Sequence, residues 1–322
     1  MPSWLMTLAR AVIAGVPFKK RLLRAGASLP CSVKSRLFSH SLLFRVFSSL
    51  LLRLRTTTPF SIRTNLGISD DMDIELPSTF ASPLHLVGTP KLYRGESGPL
   101  LLAQQLVRHC HAFVDVGAHI GYYTYFMKSR SRSDLDIYYF EPDPNFYNII
   151  RRNLARIGAR NVLGFNQAIG AASGRAEFFV DLDDRSMSSL LTEHASVHRL
   201  QATTVEVVTF DEFVRSAGLT GQYLVKVDIE NAEWAFVEGA RMALKSMPYL
   251  ILEILGPARS RGLIDHLIQT FGFRCYYING VRLEHMSAED QRYNSGEWNF
   301  LFCRESPEHL RERIGDSPLH VA

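Results

Sequence analysis

FVDVGAHIGYY, residues Phe113–Tyr123, begins as an apolar strand and ends as the first turn of a helix. Gly117 and Gly121 lie between, and Asp115 stands two residues ahead of the first glycine. Glycine reaches left-handed backbone without steric cost and lets a ligand or another chain segment come close. In an open α/β sheet the ligand sits at the carboxyl ends of the strands, near the switch point of strand order. The stretch is therefore expected to turn a buried strand into a helix beside a nucleotide-like cofactor. Asp115 then needs a reason, because a carboxylate pointing into that crevice repels a pyrophosphate.

The pattern continues on both sides. GPLLLAQQLVRHC, Gly98–Cys110, reads as an amphipathic helix ahead of the stretch. After it come the strand LDIYYFEPD, the helix NFYNIIRRNLARIG and the strand NVLGFNQA. AEFFVD reads as an extra strand, followed by the polar loop LDDRSMSS and the strand TVEVVTF. DEFVRSAG, AEWAFVEGARMAL and RGLIDHLIQTFGF read as helices alternating with the strands YLVKVDIE, PYLILEIL and RCYYING. EWNFLFCRE is a last strand with no clear helix before it, which predicts an antiparallel pair at the end. Strands alternating with helices at this spacing predict an α/β fold around a largely parallel sheet.

The 322 residues are 46% hydrophobic and 21% charged, enough apolar material for a sizeable core. Cys31, Cys110, Cys275 and Cys303 are far apart, which suggests neither a zinc site nor a disulfide framework. The net charge of +4 hides an asymmetry. Eleven of the 36 Lys and Arg fall in residues 1–67, which hold no Asp or Glu; the remainder carries 25 basic against 32 acidic residues. The expected organisation is a basic, hydrophobic arm over 1–60, an extension with a helix over 61–110, the cofactor-binding domain over 111–305, and a polar tail over 306–322. Arginines at 36, 45, 53 and 55 interrupt the apolar runs of the arm, so none reaches the roughly 18 residues of a spanning helix. Three readings of the arm stand: an amphipathic segment on an anionic membrane surface, an organelle presequence, or a segment packed on the body or a partner. A cytoplasmic protein is expected, peripheral at a membrane under the first reading. The acidic body argues against a nucleic-acid partner.

Gly117-Ala118-His119-Ile120-Gly121 is one glycine short of the dinucleotide fingerprint in that register. Asp115 suits a cationic amino-acid head group, which S-adenosyl-L-methionine offers as an ammonium beside a sulfonium. Glu141, followed by strand-breaking Pro142, ends the second strand, where an acid accepts hydrogen bonds from both ribose hydroxyls. For either acid alone, a turn cap or a surface carboxylate remains an equal reading; the pair favours the methyl donor over a nicotinamide dinucleotide. Asp228 ends the fourth parallel strand. Transfer of a methyl group to a hydroxyl needs the oxygen close and a base for its proton. Asp228 is the first candidate, then Glu230, then His119. Lys226 reads equally as an edge or snorkelling lysine and as a site residue. Asp228 and Glu253 end neighbouring strands, but no denser acid cluster accompanies them and no metal is expected.

Six ordered pieces between Phe113 and Cys303 resemble the FkbM-type S-adenosylmethionine-dependent methyltransferases: FVDVGAHIGYYT, FEPDPNFYNIIRRNL, NVLGFNQAIGAASGRAEFF, VVTFDEFV, LVKVDIENAEWAFVEGA and LILEI. The resemblance implies the seven-stranded class I methyltransferase sheet with a reversed last strand. It also implies O-methylation of a sugar, glycolipid or specialised metabolite, so the expected partner is a small-molecule or glycan acceptor. It places Asp115, Gly117, Ala118, His119 and Gly121 at the methionine part and Glu141 at the ribose, with Pro142 beside it. Asn166, Gln167 and Ala168 fall at the adenine edge, with Ala168 small enough to let the ring pack. Tyr122 and Glu96 are expected beside the cofactor, and Asp228 beside the transferable methyl. His119 stands where the family usually has Asn, and Asn231 where it has Gly. A non-catalytic cofactor-binding module of the same fold and a nicotinamide-dependent oxidoreductase are the alternatives.

Overall fold

The computed structural model describes residues 60–64, 72–76, 94–181, 200–254, 257–286 and 299–321. The N-terminal arm and the polar loop after Asp181, with the readings made of them, lie outside the described residues.

β1 (Phe60–Thr64) and β2 (Met72–Leu76) form a separate antiparallel pair, as the two strand-like pieces of that region suggest. α1 (Arg94–Leu106) and a short 3-10 turn lead into β3 (Ala112–Val116). α2 (Tyr122–Arg130), β4 (Asp136–Phe140), α3 (Pro144–Arg156) and β5 (Val162–Phe165) follow. Then come β6 (Gln167–Ile169), β7 (Gly174–Asp181), β8 (Leu200–Val208), α4 (Phe210–Ala217) and β9 (Tyr223–Val227). α5 (Glu233–Gly239), α6 (Arg241–Leu244), β10 (Tyr249–Glu253) and α7 (Pro257–Phe271) complete the alternation. β11 (Arg274–Asn279), β12 (Arg282–Met286), β13 (Asn299–Cys303), α8 (Pro307–Ile314) and β14 (His320–Val321) close the chain.

The main sheet has nine strands in the order β14-β12-β11-β13-β10-β9-β3-β4-β5. β3, β4, β5, β9 and β10 run parallel, while β13 is antiparallel to both β10 and β11. The seven strands from β11 to β5 are thus the expected class I sheet with its reversed strand. The strand count departs from the expectation because β12 folds back on β11 and β14 pairs with β12. No element was expected at RLEHM, which has no clean alternation, and the expected polar tail buries Leu310, Ile314, Leu319 and Val321. One face of the sheet packs on α1, α2, α3 and α8 through residues such as Leu106, Tyr125, Ile150 and Leu310. The other packs on α4, α5 and α7 through Phe210, Phe236 and Leu267. Chain order reverses between β3 and β9, so the switch point lies between the strands that carry Asp115 and Asp228. No helix among the described residues is long and apolar enough to cross a membrane.

The stretch NVLGFNQA does not form one strand. It breaks at Asn166, and β6 leaves the main sheet to pair with β8 in a three-stranded sheet with β7. Ala168, 5% exposed, packs there with Phe178, Val180, Val205 and Val207. Its small side chain serves this second core.

Candidate functional site

Gly121 occupies the N-cap position of α2 at φ 86° and has no side chain to cap it. The cap comes from the preceding strand. Asp115 Oδ2 accepts from the Thr124 backbone N–H at 3.1 Å and from the Thr124 hydroxyl at 2.7 Å. The carboxyl is 2% exposed. Burial pushes its pKa up to about 6, against the opposing pull of the Thr124 hydroxyl and Lys226. Asp115 is therefore a cap on the helix it feeds, beneath the turn, where the sequence suggested an acid open to the crevice. Thr124 was missed because the pair closes across nine residues and a change of secondary structure.

Gly117 has φ 82°, and a Cβ there would lie 1.8 Å from the Asp228 carbonyl oxygen. The close approach that needs this glycine is thus made by the chain itself. Gly117 and Ala118 both donate backbone N–H groups to the Phe140 carbonyl at 3.0 Å, and Asp228 donates to the Val116 carbonyl at 3.0 Å. These bonds clamp the ends of β3, β4 and β9 together. His119 has φ 52°, a backbone state in which Asn, Asp and His are enriched among non-glycine residues. Its ring meets Phe146 edge-on at 4.4 Å.

Glu141 is buried at the end of β4, 5% exposed. Its Oε2 accepts from His119 N–H at 2.7 Å and its Oε1 from Asp143 N–H at 2.8 Å. Burial drives its pKa well above the usual carboxylate range despite those two donors. The two bonds fix the carboxyl plane and leave lone pairs on both oxygens for further donors. Asp143 caps α3 by accepting from Asn145 N–H at 2.8 Å. Asn166 donates to the carbonyls of Glu141 and Pro142 at 2.8 and 3.0 Å, so its amide holds the crevice edge in shape. Gln167 belongs to β6, half-buried, one residue beyond that clamp.

At the end of β9, Asp228 comes within 3.5 Å of the Lys226 ammonium. Burial opposes ionisation of Asp228, but Lys226, a hydrogen bond from Glu253 and the charge of His119 together hold its carboxyl below the usual range. Glu230 and Asn231 follow with φ 48° and 74°, two successive left-handed residues. Glu233 accepts from Asn231 N–H at 2.9 Å and steadies the turn. Lys226 is 1% exposed in a central strand, so it is neither an edge nor a snorkelling lysine. Tyr122 is half-buried at the start of α2, its ring edge-on to Tyr123 at 6.0 Å. α1 begins at Arg94, four residues before the expected start, which puts Glu96 in its first turn; the Glu96 side chain lies outside the described atoms. Asp115, Gly117, Ala118, His119, Gly121, Glu141, Asp228 and Glu230 thus gather at adjoining strand ends, with Ala168 in β6, two residues beyond the Asn166 clamp. Among the described residues, no group of three or more His, Cys, Asp or Glu side chains is placed to hold a metal.

A doubly wound sheet whose seven-stranded core has its reversed strand, β13, at the penultimate position, and acids at the ends of β3, β4 and β9, belongs to the class I methyltransferases. Within that class the chain is a member of the methyltransferase FkbM domain family, whose profile matches residues 115–278. It is 24% identical over 161 residues to the hexuronic acid methyltransferase AglP of Haloferax volcanii, covering 50% of this chain and 63% of that protein. Among solved structures it is similar to the methyltransferase FkbM of Methylobacillus flagellatus KT, with 14% identity and a TM-score of 0.43 over 88% of this chain and 65% of that one. It is also similar to a precorrin-6y C5,15-methyltransferase of Geobacter metallireducens GS-15, with 11% identity and a TM-score of 0.38 over 65% of this chain and 88% of that one. The chain therefore spans just under two thirds of the length of the curated relative.

Proposed function

We propose that the protein transfers a methyl group from S-adenosyl-L-methionine to a hydroxyl of a small-molecule or glycan acceptor. The observation that carries the cofactor reading is the state of the turn's backbone. A pyrophosphate is held by free N–H groups at a helix N-terminus. Here the N–H groups of Gly117, Ala118, His119, Gly121 and Thr124 are all spent on protein oxygens. Two buried carboxyls, Asp115 and Glu141, sit beside them. The residues present therefore fit a ligand with a cationic head and a diol better than one with phosphates.

S-adenosyl-L-methionine supplies an activated methyl group on a sulfonium. Glu141, fixed by two backbone donors, offers its remaining lone pairs to the ribose hydroxyls. Asp115 lies one layer beneath and sets the negative potential of the turn. Asp228 is the group best placed to take the acceptor's proton, being partly exposed and held as a carboxylate. With the donor bound, Asp228 would accept the proton of the acceptor hydroxyl whose oxygen takes the methyl group. Glu230 stands in the next turn as an orienting group. A sugar acceptor is supported by the hexuronic acid named for the Haloferax relative.

Calorimetric titration of the full chain tests the cofactor. Saturable binding of S-adenosyl-L-methionine is expected, with none for NADH and at least a tenfold loss in Glu141→Ala. A folded protein that binds NADH, or neither ligand, overturns the reading.

A further inference from the structure

Lys226 is an ammonium where sheet physics favours Val, Ile or Leu. It lies in the middle of the nine-stranded sheet, between β10 and β3, and is 1% exposed. Removing such a charge from water costs several kcal/mol, and buried ion pairs are often no more stabilising than apolar side chains of the same volume. Fold stability alone gives no reason for a lysine here.

Its surroundings are specific. In the β3–β9 register Asp115 is directly opposite Lys226. In the β9–β10 register Ile251 is opposite on the other side. Side chains two apart share a face, so Lys226 and Asp228 point to the same side of the sheet, as do Ile251 and Glu253. The Lys226 Nζ lies 3.5 Å from Asp228 Oδ2, 3.3 Å from the Val227 carbonyl oxygen, and 5.5 Å from the centre of the Tyr123 ring. Glu253 from β10 and His119 from the glycine turn complete the charged groups that act on Asp228. Asn299 pairs with Glu253 across β10 and β13, and its buried Oδ1 has no partner. Asp228 is reachable, with 32% of its side chain exposed, while the ammonium behind it is sealed off.

We propose that Lys226 is a positioning residue for methyl transfer: from beneath the sheet end it holds Asp228 as an oriented carboxylate facing the acceptor. This rests on the methyltransferase reading of the same crevice. Lys226 cannot touch a ligand at 1% exposure, so it acts through Asp228. Asp115 faces the lysine across the β3–β9 register and Asp228 lies 3.5 Å from its ammonium. Of these two acids the one in contact with the ammonium, Asp228, is the one open to solvent. A neutral residue at 226 would remove the largest of the influences that favour the Asp228 charge and leave the weaker ones of Glu253 and His119, and a base that keeps its proton cannot accept another.

The full chain labelled with carbon-13 at its aspartate carboxyls tests this by NMR titration, with Asp228→Asn assigning the signal. In the unmodified protein Asp228 is expected to titrate below the ordinary aspartate value of about 3.9. Lys226→Met should raise its midpoint by at least one pH unit, a tenfold change in proton affinity, and Lys226→Arg should bring it back. An Asp228 midpoint at or above the ordinary value in the unmodified protein overturns the proposal without any variant having to fold. So does a midpoint that Lys226→Met leaves in place. Calorimetry with S-adenosyl-L-methionine on the same samples separates the two ideas. Donor binding with no Lys226 dependence overturns only the role of Lys226, whereas no donor binding overturns the methyl-transfer reading on which that role depends.

Discussion

The two ends of the main sheet both cluster charged groups, buried at one end and partly exposed at the other, and they use them differently. At the foot, Glu305 Oε1 accepts from the Tyr249 hydroxyl at 2.5 Å and from Arg313 Nε at 3.1 Å. The Tyr276 hydroxyl donates to the Glu305 carbonyl at 2.8 Å. Arg304 donates to the carbonyls of Leu244, Lys245, Met247 and Phe271 and lies over the Phe273 ring at 4.5 Å. The result is a seam that ties α8 and the α6–β10 turn to the sheet. At the crevice the ammonium of Lys226 meets Asp228 and faces Asp115 across the strand register, with Glu141 at the neighbouring strand end. Burial pushes Asp115 and Glu141 up while Asp228 is held down. Clustered charge alone therefore does not mark a functional site. A surplus of acids over cations, with their proton affinities driven apart, does.

The sharpest way to break this contrast is Gly117→Ala. The new Cβ would collide with the Asp228 carbonyl at a backbone angle that side chains rarely adopt. A loss on the order of 3–5 kcal/mol is expected, combining overpacking with left-handed strain. Urea denaturation measures it, and donor binding should vanish with it.

Next in size is a pH effect. Asp115 has its folded pKa raised to about 6 from 3.8 in a free chain. Below about pH 4 it is protonated in both states and its contribution is fully present. As pH rises towards 6 the unfolded chain ionises and the folded one resists, so stability falls by up to about 3 kcal/mol. Asp228, held low, acts in the opposite sense at lower pH, losing its contribution as pH falls through its folded value. Asp115→Asn should flatten the fall between pH 4 and 6 in thermal melts, and an unchanged slope would show that the buried carboxyl is not its source.

The foot should respond in stability only. Glu305→Ala removes the acceptor of Tyr249 and Arg313 and should cost about 2 kcal/mol. Affinity for S-adenosyl-L-methionine should stay within twofold; a larger change would mean that the two ends of the sheet are coupled. The smallest effect belongs to Asn231→Gly. At φ 74° glycine relieves strain, so a change below about 1 kcal/mol is expected, with donor affinity unaltered.

Much of this was legible in the residues because it depends on local pattern. The strand–turn–helix of Phe113–Arg130, the acid-proline stop at Glu141-Pro142 and the alternation of strands with helices from β3 to β5 and from β8 to β11 follow from period and turn chemistry. Asn231 in left-handed backbone follows from its short polar side chain. What was not legible involves partners far apart in the chain. Asn166 clamping Glu141 and Pro142, and β14 pairing with β12, each join segments that no local periodicity connects. RLEHM and the C-terminal segment carry few apolar residues, so their burial shows only once a neighbour covers them.

The sequence by itself determined the α/β class, the order of the parallel strands' acids and the place of the glycine turn, because each is written in spacings of a few residues. Only the tertiary structure decided what the acids do. It turned Asp115 from a crevice-facing group into a helix cap, gave Ala168 to a second core, and set Lys226 behind Asp228. Burial, register across strands and the sign of a neighbouring charge fix a carboxyl's protonation, and none of these exists until the strands are side by side.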